Sequence, residues 1–147
     1  MKVSTKGRYG TRAVLELALR YGSGPVLVRE ISERQEISER YLENILNSLR
    51  KSGIVISTRG AGGGYQLSRD PAQITVGEVV RSLEGPLDVV ECTGGMPCSR
   101  SSQCATLHIW QKLKTVIENE LDSITIDDMV RMDRELNTGT HNLDYSI

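Results

Sequence analysis

The cysteine residues of the chain are concentrated in one short stretch. Cys92, Cys98 and Cys104 are the three cysteines among 147 residues, and five residues separate each from the next. Thiolates are soft ligands that suit zinc, copper(I) and iron–sulfur clusters. Structural zinc sites usually have gaps of about two to four residues within a ligand pair, so this spacing favours a larger object such as a cluster. An odd number of cysteines also argues against a closed set of disulfides.

An iron–sulfur cluster held by three cysteines needs a fourth ligand of another type. His108 lies four residues after Cys104, at the start of a predicted long helix, and is the first candidate. A carboxylate or a residue from a second subunit is the alternative. A lone histidine on a helix is more often an ordinary surface or core residue, and the cysteines alone would also fit an exposed redox loop or three unrelated thiols. The clustering nevertheless favours a metal or cluster.

A second group of residues has the pattern of a DNA-binding helix. Ser38 stands where a helix N-cap belongs, and Gly53 follows the last periodic residue as a C′ glycine. Between them, apolar residues at steps of three and four predict one buried face, formed by Leu42, Ile45, Leu46 and Leu49. The opposite, polar face carries Glu39, Arg40, Glu43, Asn44 and Asn47. Because most amphipathic helices serve only as core, this pattern alone does not establish DNA binding.

A glycine-rich hairpin is predicted directly after this helix. Residues 54–58 and 65–67 have strand composition, and residues 59–64 between them form the turn. Arg59 supplies positive charge at the base of the turn. The glycines whose missing side chains would let the backbone approach a phosphodiester are Gly60, Gly62 and Gly63. A nucleotide-binding P-loop is disfavoured, because the turn lacks the motif's lysine and hydroxyl residue and leads into a strand.

The preceding residues complete a winged helix-turn-helix domain over residues 1–70. A helix opens in the basic segment 2–12 and stops at Gly22. Residues 26–28 are consistent with a short strand, and residues 29–34 with a short second helix. Helix, helix, turn, helix and wing follow one another as in that fold.

Residues 71–136 are predicted to hold the cysteine loop between helices. Thr75 and Glu78 form a capping box for a short helix that ends near Leu83. The long helix that starts near Thr106 carries a regular apolar stripe of Leu107, Trp110, Leu113, Val116 or Ile117, and Leu121. That stripe suits packing against the same helix of a second subunit or packing within its own domain, and the sequence does not choose between them.

A last helix is expected from Thr125 to about Leu136, followed by a polar tail over residues 137–147 that we expect to be flexible. The predicted fold class is therefore mainly α with a small antiparallel β-wing, a winged helix-turn-helix joined to a long dimerisation helix.

The net charge of −1 hides an asymmetry between the two halves of the chain. Residues 1–70 carry a formal charge of +5 and residues 71–147 a charge of −6. A basic half joined to an acidic half indicates that only the first faces a polyanion. The sequence shows no apolar run long enough for a membrane span and no signal peptide at its start, so we expect a cytoplasmic protein with no membrane partner. No catalytic triad or paired-carboxylate spacing is present, so we expect no enzymatic activity.

Several of these segments together resemble one superfamily of bacterial transcription regulators. They are MKVSTKGRYG, ISERYLENILNSLRKSGIV, STRGAGGGYQLSRDP, ITVGEVVRSLEG and the cysteine loop. The chain is similar to the IscR, NsrR and CymR superfamily, and most similar to its IscR-type iron–sulfur cluster regulators. The resemblance runs from Met1 to about Glu135, and the wing together with the cysteine triad makes it specific.

The resemblance implies a homodimer of winged helix-turn-helix subunits joined by the long helix. It implies that the three cysteines hold a [2Fe-2S] cluster, delivered by the cluster-assembly machinery, and that the cluster controls affinity for a double-stranded DNA operator or the choice of site. Repression of cluster-assembly genes is the expected output. The DNA-reading residues implied by position are Ser38, Arg40, Glu43, Asn44, Arg59 and the wing glycines.

The sequence departs from the family pattern at the fourth ligand. IscR-type regulators usually place the ligand histidine three residues after the third cysteine, where this chain has Leu107, and His108 comes one residue later. The nitric-oxide-sensing branch uses an acidic residue near position 8, where this chain has Arg8. A carboxylate such as Glu43 therefore stays open. A zinc-stabilised DNA-binding regulator without sensing, or a redox cluster carrier that does not bind DNA, is the alternative function.

Overall fold

The computed structural model describes residues 1–96 and 98–143 of the chain, with the side chains of the last helix described up to residue 139. The helices are α1 (Thr5–Leu19), α2 (Val28–Gln35), α3 (Glu39–Lys51), α4 (Val76–Glu84), α5 (Ala105–Ser123) and α6 (Ile126–Leu143), and the strands are β1 (Val55–Thr58) and β2 (Gly64–Leu67). Short 3-10 turns lie at Pro71–Gln73, Glu91–Thr93 and Ser101–Gln103. The predicted class, mainly helical with a small antiparallel wing, is confirmed.

The helix-turn-helix is built on helix caps that the sequence encodes locally. Ser4 and Ser38 cap α1 and α3, each hydroxyl accepting a hydrogen bond from a backbone N–H of the first turn. The apolar face predicted for α3 is fully buried, and the core residues it supplies are Leu42, Ile45, Leu46 and Leu49. Packing that face against α1 and α2 leaves the polar face of α3 outside.

The wing is a two-stranded antiparallel hairpin, and one further residue of the chain forms a β-bridge to it. β1 and β2 pair from Val55 opposite Leu67 to Thr58 opposite Gly64. Val26 adds an isolated bridge, exchanging two hydrogen bonds of 2.8 Å with Tyr65. The strand expected at residues 26–28 is therefore reduced to one residue, because α2 already begins at Val28.

Gly64 makes the close approach of Val26 possible. Its φ of +146° lies in a region that L side chains rarely adopt, and a Cβ there would lie 2.3 Å from the carbonyl oxygen of Val26. The bridge that Val26 forms beside the two-stranded hairpin thus depends on a glycine at position 64.

The second half of the chain packs on α1 and shares its core. α4 and α6 both contact α1, and α5 packs against α4. The predicted capping box is confirmed, since the Thr75 hydroxyl accepts from Glu78 N–H while the Glu78 carboxylate accepts from Thr75 N–H. Ile74, Val79 and Ile126 belong to the same hydrophobic cluster as α1 and α3, so the core is continuous across the boundary predicted near residue 70.

The last helix is longer than the sequence predicts. α6 continues to Leu143, seven residues past the expected end at Leu136, so part of the expected tail is helical. Asn137, Thr138 and Gly139 are weak helix formers, which is why the prediction stopped there. In the structure the Asn137 amide donates to Asp133 at 3.1 Å and the Thr138 hydroxyl to the Arg134 carbonyl at 2.9 Å, so local side-chain bonds support the first residues of the extension. Residues 144–147 of the expected tail lie outside the described residues.

Replacing Glu36 by glycine should stabilise the protein. Glu36 ends α2 in the left-handed region with φ +55°, in the turn that leads to α3. An L residue in the left-handed region costs about 1–2 kcal/mol, which glycine would not pay. The larger entropy of glycine in the unfolded chain offsets part of this stabilisation, so we expect the free energy of unfolding to rise by about 0.5 kcal/mol. Urea denaturation measures it. The control Glu33→Gly, inside α2, should lower stability, and a loss for Glu36→Gly would contradict the expectation.

Candidate nucleic-acid interface and cysteine loop

The outer face of α3 presents the residues predicted to read DNA. Arg40, Glu43 and Asn44 are exposed. Within the part of the chain that the structure describes, no other side chain pairs with Arg40 or Glu43. Ser38 is exposed as well, but its hydroxyl oxygen accepts from the Tyr41 N–H at 3.3 Å. Three polar side chains are thus free for a partner, while Ser38 also fixes the start of the helix.

A polar network behind α3 fixes the turn that precedes it. The Arg12 guanidinium on α1 donates to the side-chain and backbone oxygens of Gln35, both at 2.7 Å, and lies 5.4 Å from the centre of the Tyr9 ring. The Gln35 amide in turn donates to Glu16 at 2.6 Å. Gln35 is the last residue of α2, so these bonds hold the end of α2 against α1, three residues before Ser38 caps α3.

Glu16 is the buried member of this network and was missed by the sequence analysis. The residue is 5% exposed; one carboxylate oxygen takes the Gln35 bond and the other lies 3.5 Å from Arg34 Nε. A buried carboxylate is costly unless it is paired and hydrogen-bonded, so Glu16 constrains where α2 sits on α1. The sequence feature that could have indicated this role is an acidic residue placed between the buried Ala13 and Leu17 of one helix.

The predicted wing residues fall into two groups. Arg59, Gly60 and Gly62 are exposed at the tip, and Arg59 has no side-chain partner among the described residues. Gly63 is buried, and a Cβ there would lie 2.2 Å from the carbonyl oxygen of Thr58. Gly63 therefore serves the tight turn of the wing itself, whereas the other three residues are available to a ligand.

The cysteine loop connects α4 to α5. Cys92 lies in the 3-10 turn Glu91–Thr93 and is half-buried, Cys98 is exposed, and Cys104 is half-buried at the N-cap of α5. Among the described residues, no three His, Cys, Asp or Glu side chains are gathered closely enough to hold a metal ion. The structure therefore places the three predicted ligands on one loop without bringing them together.

The chemistry of the thiols nevertheless fits soft-metal ligation. All three cysteines are free, and the hydrogen bond with the Thr106 hydroxyl, at 3.2 Å, lowers the pKa of Cys104 below the ordinary thiol value. Backbone N–H groups at the start of α5 and the charge of Arg100 act in the same direction. Because the thiolate is the form that ligates metals, this environment suits a ligand.

His108 and Leu107 have opposite surroundings. Leu107, at the position where the resemblance predicts a ligand histidine, is buried with 8% exposure and packs as an apolar residue. His108 is exposed one position later. The candidate fourth ligand is thus accessible on the first turn of α5, and among the described residues it belongs to no group of three potential metal ligands.

A lysine on α5 that was not predicted from the sequence holds the first part of the loop. Lys114 Nζ donates to the Asp88 carboxylate at 2.6 Å and to the Thr93 carbonyl oxygen at 3.3 Å. The hydrogen bond with Asp88 raises the pKa of Lys114, which favours the charged form of the amine. Lys114 is 26 positions from Asp88 and 21 positions from Thr93 in sequence, and no local pattern marks such distant pairs.

The apolar stripe predicted for α5 divides into two faces. Leu107 is buried and Trp110, Ile117 and Leu121 are half-buried. Leu113 and Val116 are exposed instead. Together with Ile109, which was not predicted as part of the stripe, they form an outward row. The exposed fractions are 58% for Ile109, 41% for Leu113 and 56% for Val116. The inward face packs against the rest of the chain, and no described residue covers the outward row.

A winged helix-turn-helix with a free polar recognition face is the architecture of a transcription regulator, and the comparisons with known proteins agree. The family model for Rrf2, described as "Iron-dependent Transcriptional regulator", matches residues 3–132. The chain therefore belongs to the Rrf2 family of transcriptional regulators, which are not enzymes. None of its described helices is both long and apolar enough to cross a membrane.

Individual relatives support this assignment. The HTH-type transcriptional regulator IscR of Cronobacter sakazakii is 42% identical over 130 residues, which are 88% of this chain and 80% of that protein. The solved structure of T. potens IscR is 45% identical with a TM-score of 0.76 and covers 92% of this chain and 90% of its own. CymR, the global cysteine regulator of B. subtilis, is 37% identical with a TM-score of 0.78, covering 90% of this chain and 98% of its own.

Proposed function

We propose that the protein is a cytoplasmic, homodimeric repressor that binds operator DNA and carries a [2Fe-2S] cluster on Cys92, Cys98 and Cys104. The observation that carries the DNA-binding part is that Arg40, Glu43 and Asn44 on α3 and Arg59 on the wing are exposed and have no side-chain partner among the described residues. Side chains that are bonded to nothing in the protein are free to bond to base edges and phosphates. The positive charge of residues 1–70 adds attraction to a polyanion.

The dimer is supported by the outward row of Ile109, Leu113 and Val116 on α5. Spacings of four and three residues put these side chains on one side of a helix with about 3.6 residues per turn. A second copy of α5 would cover them, and two subunits would then present two recognition helices to half-sites about 34 Å apart.

The proposed cluster is supported by the chemical type of the three cysteine ligands and by the position of their loop in the fold. Thiolates of Cys92, Cys98 and Cys104 would hold the cluster, with His108 or a carboxylate such as Glu43 as the fourth ligand. When bound, the cluster would supply cross-links between the loop and the start of α5. The target genes we propose are those for cluster assembly, whose products would also deliver the cluster.

Contacts between α4 and α1 offer a route from the loop to the DNA-binding helices. The Ser4 N–H donates to the Glu84 carboxylate at 3.3 Å, and the Ser4 hydroxyl also bonds to Glu84, just before the loop begins. A Cβ on Gly10 would lie 2.1 Å from Leu83, so α1 and α4 are in close contact. A displacement of the loop that moves the end of α4 would therefore also move α1.

Arg59→Ala tests the DNA-binding proposal. We expect weaker binding to a duplex selected from a random library, because Arg59 is a free cation on the wing. If Arg59 contacts a phosphate, binding should weaken equally for all sequences, and the slope of log affinity against log salt concentration should be smaller by about 1. If Arg59 reads a base, about 1–3 kcal/mol of binding free energy should be lost at one base position only. Fluorescence anisotropy at several salt concentrations measures both.

The matched control for this test is Arg134→Ala, which removes one exposed cation from α6 and should leave binding unchanged. Wild-type affinity that does not fall between low and physiological salt would contradict DNA binding altogether. Unchanged binding by Arg59→Ala would remove the wing from the mechanism.

A further inference from the structure

The segment that carries Cys92 is folded around one carboxylate. Asp88 precedes Cys92 by four residues, and a Cβ on Gly94 would lie 2.6 Å from Asp88 Oδ2, so the chain returns to Asp88 just after the cysteine. The Thr93 hydroxyl donates to the Val90 carbonyl oxygen at 2.7 Å, inside the same turn. Residues 88–94 therefore form a compact unit that we call the Cys92 turn.

Lys114 attaches the Cys92 turn to α5. Its amine donates to Asp88 at one end of the turn, at 2.6 Å, and to the Thr93 carbonyl beside Cys92, at 3.3 Å. The side chains of Lys114 and Asp88 are 23% and 26% exposed, so the ion pair is partly shielded from water. One charged group on a rigid helix thus bonds to both ends of a short, otherwise irregular segment.

We propose that Lys114 is a positioning residue that holds the Cys92 turn on α5 and thereby fixes where the Cys92 thiol lies relative to Cys104, which begins the same helix. That Lys114 holds the Cys92 turn on α5 follows from these contacts alone. The effect of this attachment on cluster binding rests on the function proposed above. Without Lys114, the Asp88 carboxylate and the Thr93 carbonyl lose their bonds to α5, and the turn is free to move away from it.

Lys114→Met tests the proposal in cluster-free protein. Methionine keeps an unbranched apolar stem and removes the charge and the donors. We expect Cys92 to react with iodoacetamide roughly threefold to tenfold faster, the range expected when one partly exposed ionic hydrogen bond is lost. Mass spectrometry of peptides at timed quenches gives the rate for each cysteine, and exposed Cys98 should keep its wild-type rate.

Two further variants make the result specific. Lys112→Met removes a neighbouring exposed lysine of α5 and should leave all three rates unchanged. Asp88→Asn removes the other charge of the pair and should accelerate Cys92 as Lys114→Met does, so the proposal stays testable if one variant folds poorly. An unchanged Cys92 rate in both Lys114→Met and Asp88→Asn, with wild-type circular dichroism, overturns the proposal.

Reconstituting the same proteins separates this inference from the proposed function. If wild type acquires the chromophore, Lys114→Met should lose it faster on exposure to a chelator, and an equal lifetime would overturn the role in cluster binding. If wild type never acquires a chromophore, the proposed cluster fails, whereas faster Cys92 alkylation in Lys114→Met still establishes the hold on the turn.

Discussion

Replacing Val116 by glutamate should convert the protein to a monomer and lower its affinity for a two-half-site operator by at least about 100-fold. Val116 is 56% exposed and is the last residue of the outward row on α5. In the proposed dimer a glutamate there would place a carboxylate in an apolar interface, where an unpaired charge is strongly disfavoured. Losing the dimer removes the second recognition helix, and with it the gain from binding two linked half-sites. Analytical ultracentrifugation and anisotropy on the same samples measure the two effects.

The control for this experiment is Gln111→Glu, which adds the same charge to an exposed position of α5 outside the row. That variant should stay dimeric and bind as wild type does. Binding of Val116→Glu to a duplex with one half-site should be nearly unchanged, because each winged helix-turn-helix stays intact. A Val116→Glu protein that sediments as a dimer would contradict the interface proposed on this face.

The sequence predicted the parts of the fold whose causes are local. The caps at Ser38 and Thr75 need only the residues of one helical turn, and the apolar period of α3 reports its buried face directly. The wing followed from a β-branched run and a glycine turn, and the structure pairs the two predicted strands as an antiparallel hairpin. The resemblance to known regulators added the family, which the comparisons confirm.

Features that depend on contacts distant in sequence were not predictable in the same way. Lys114 and Asp88 are 26 residues apart, and Gln35 and Glu16 are 19 apart, so neither pair leaves a periodic signal. The stripe on α5 was treated as one face because its apolar residues are spread widely around the helix. The packing of α4 and of the turn Glu91–Thr93 decides which of them are covered. Ile109 was missed for that reason.

Replacing any one of the three cysteines should abolish the chromophore of anaerobically purified protein and leave a folded dimer. Each of Cys92→Ala, Cys98→Ala and Cys104→Ala removes one thiolate from a set that has no spare cysteine. None of the loop residues that the structure describes belongs to the main hydrophobic cluster, so the fold should survive the changes. Absorption spectra with iron and sulfide analysis measure the cluster, and Ser99→Ala, in the same loop, is the matched control.

The fourth ligand is tested by His108→Ala. If His108 ligates, its removal should shift the visible spectrum and shorten the lifetime of the cluster, because ligand type sets cluster potential and lability. A spectrum and lifetime equal to wild type would exclude His108, and Glu43→Gln would then be the next variant.

The cysteine variants also decide whether the loop controls DNA recognition. Each should lose the difference in DNA binding between cluster-loaded and cluster-free protein, while sites that cluster-free protein recognises stay bound, because α3 and the wing contain no cysteine. Zinc in place of iron and sulfide in wild type would favour the zinc-stabilised regulator instead. If all three variants bind every operator as the cluster-loaded wild type does, the loop has no sensing role, whatever metal it holds.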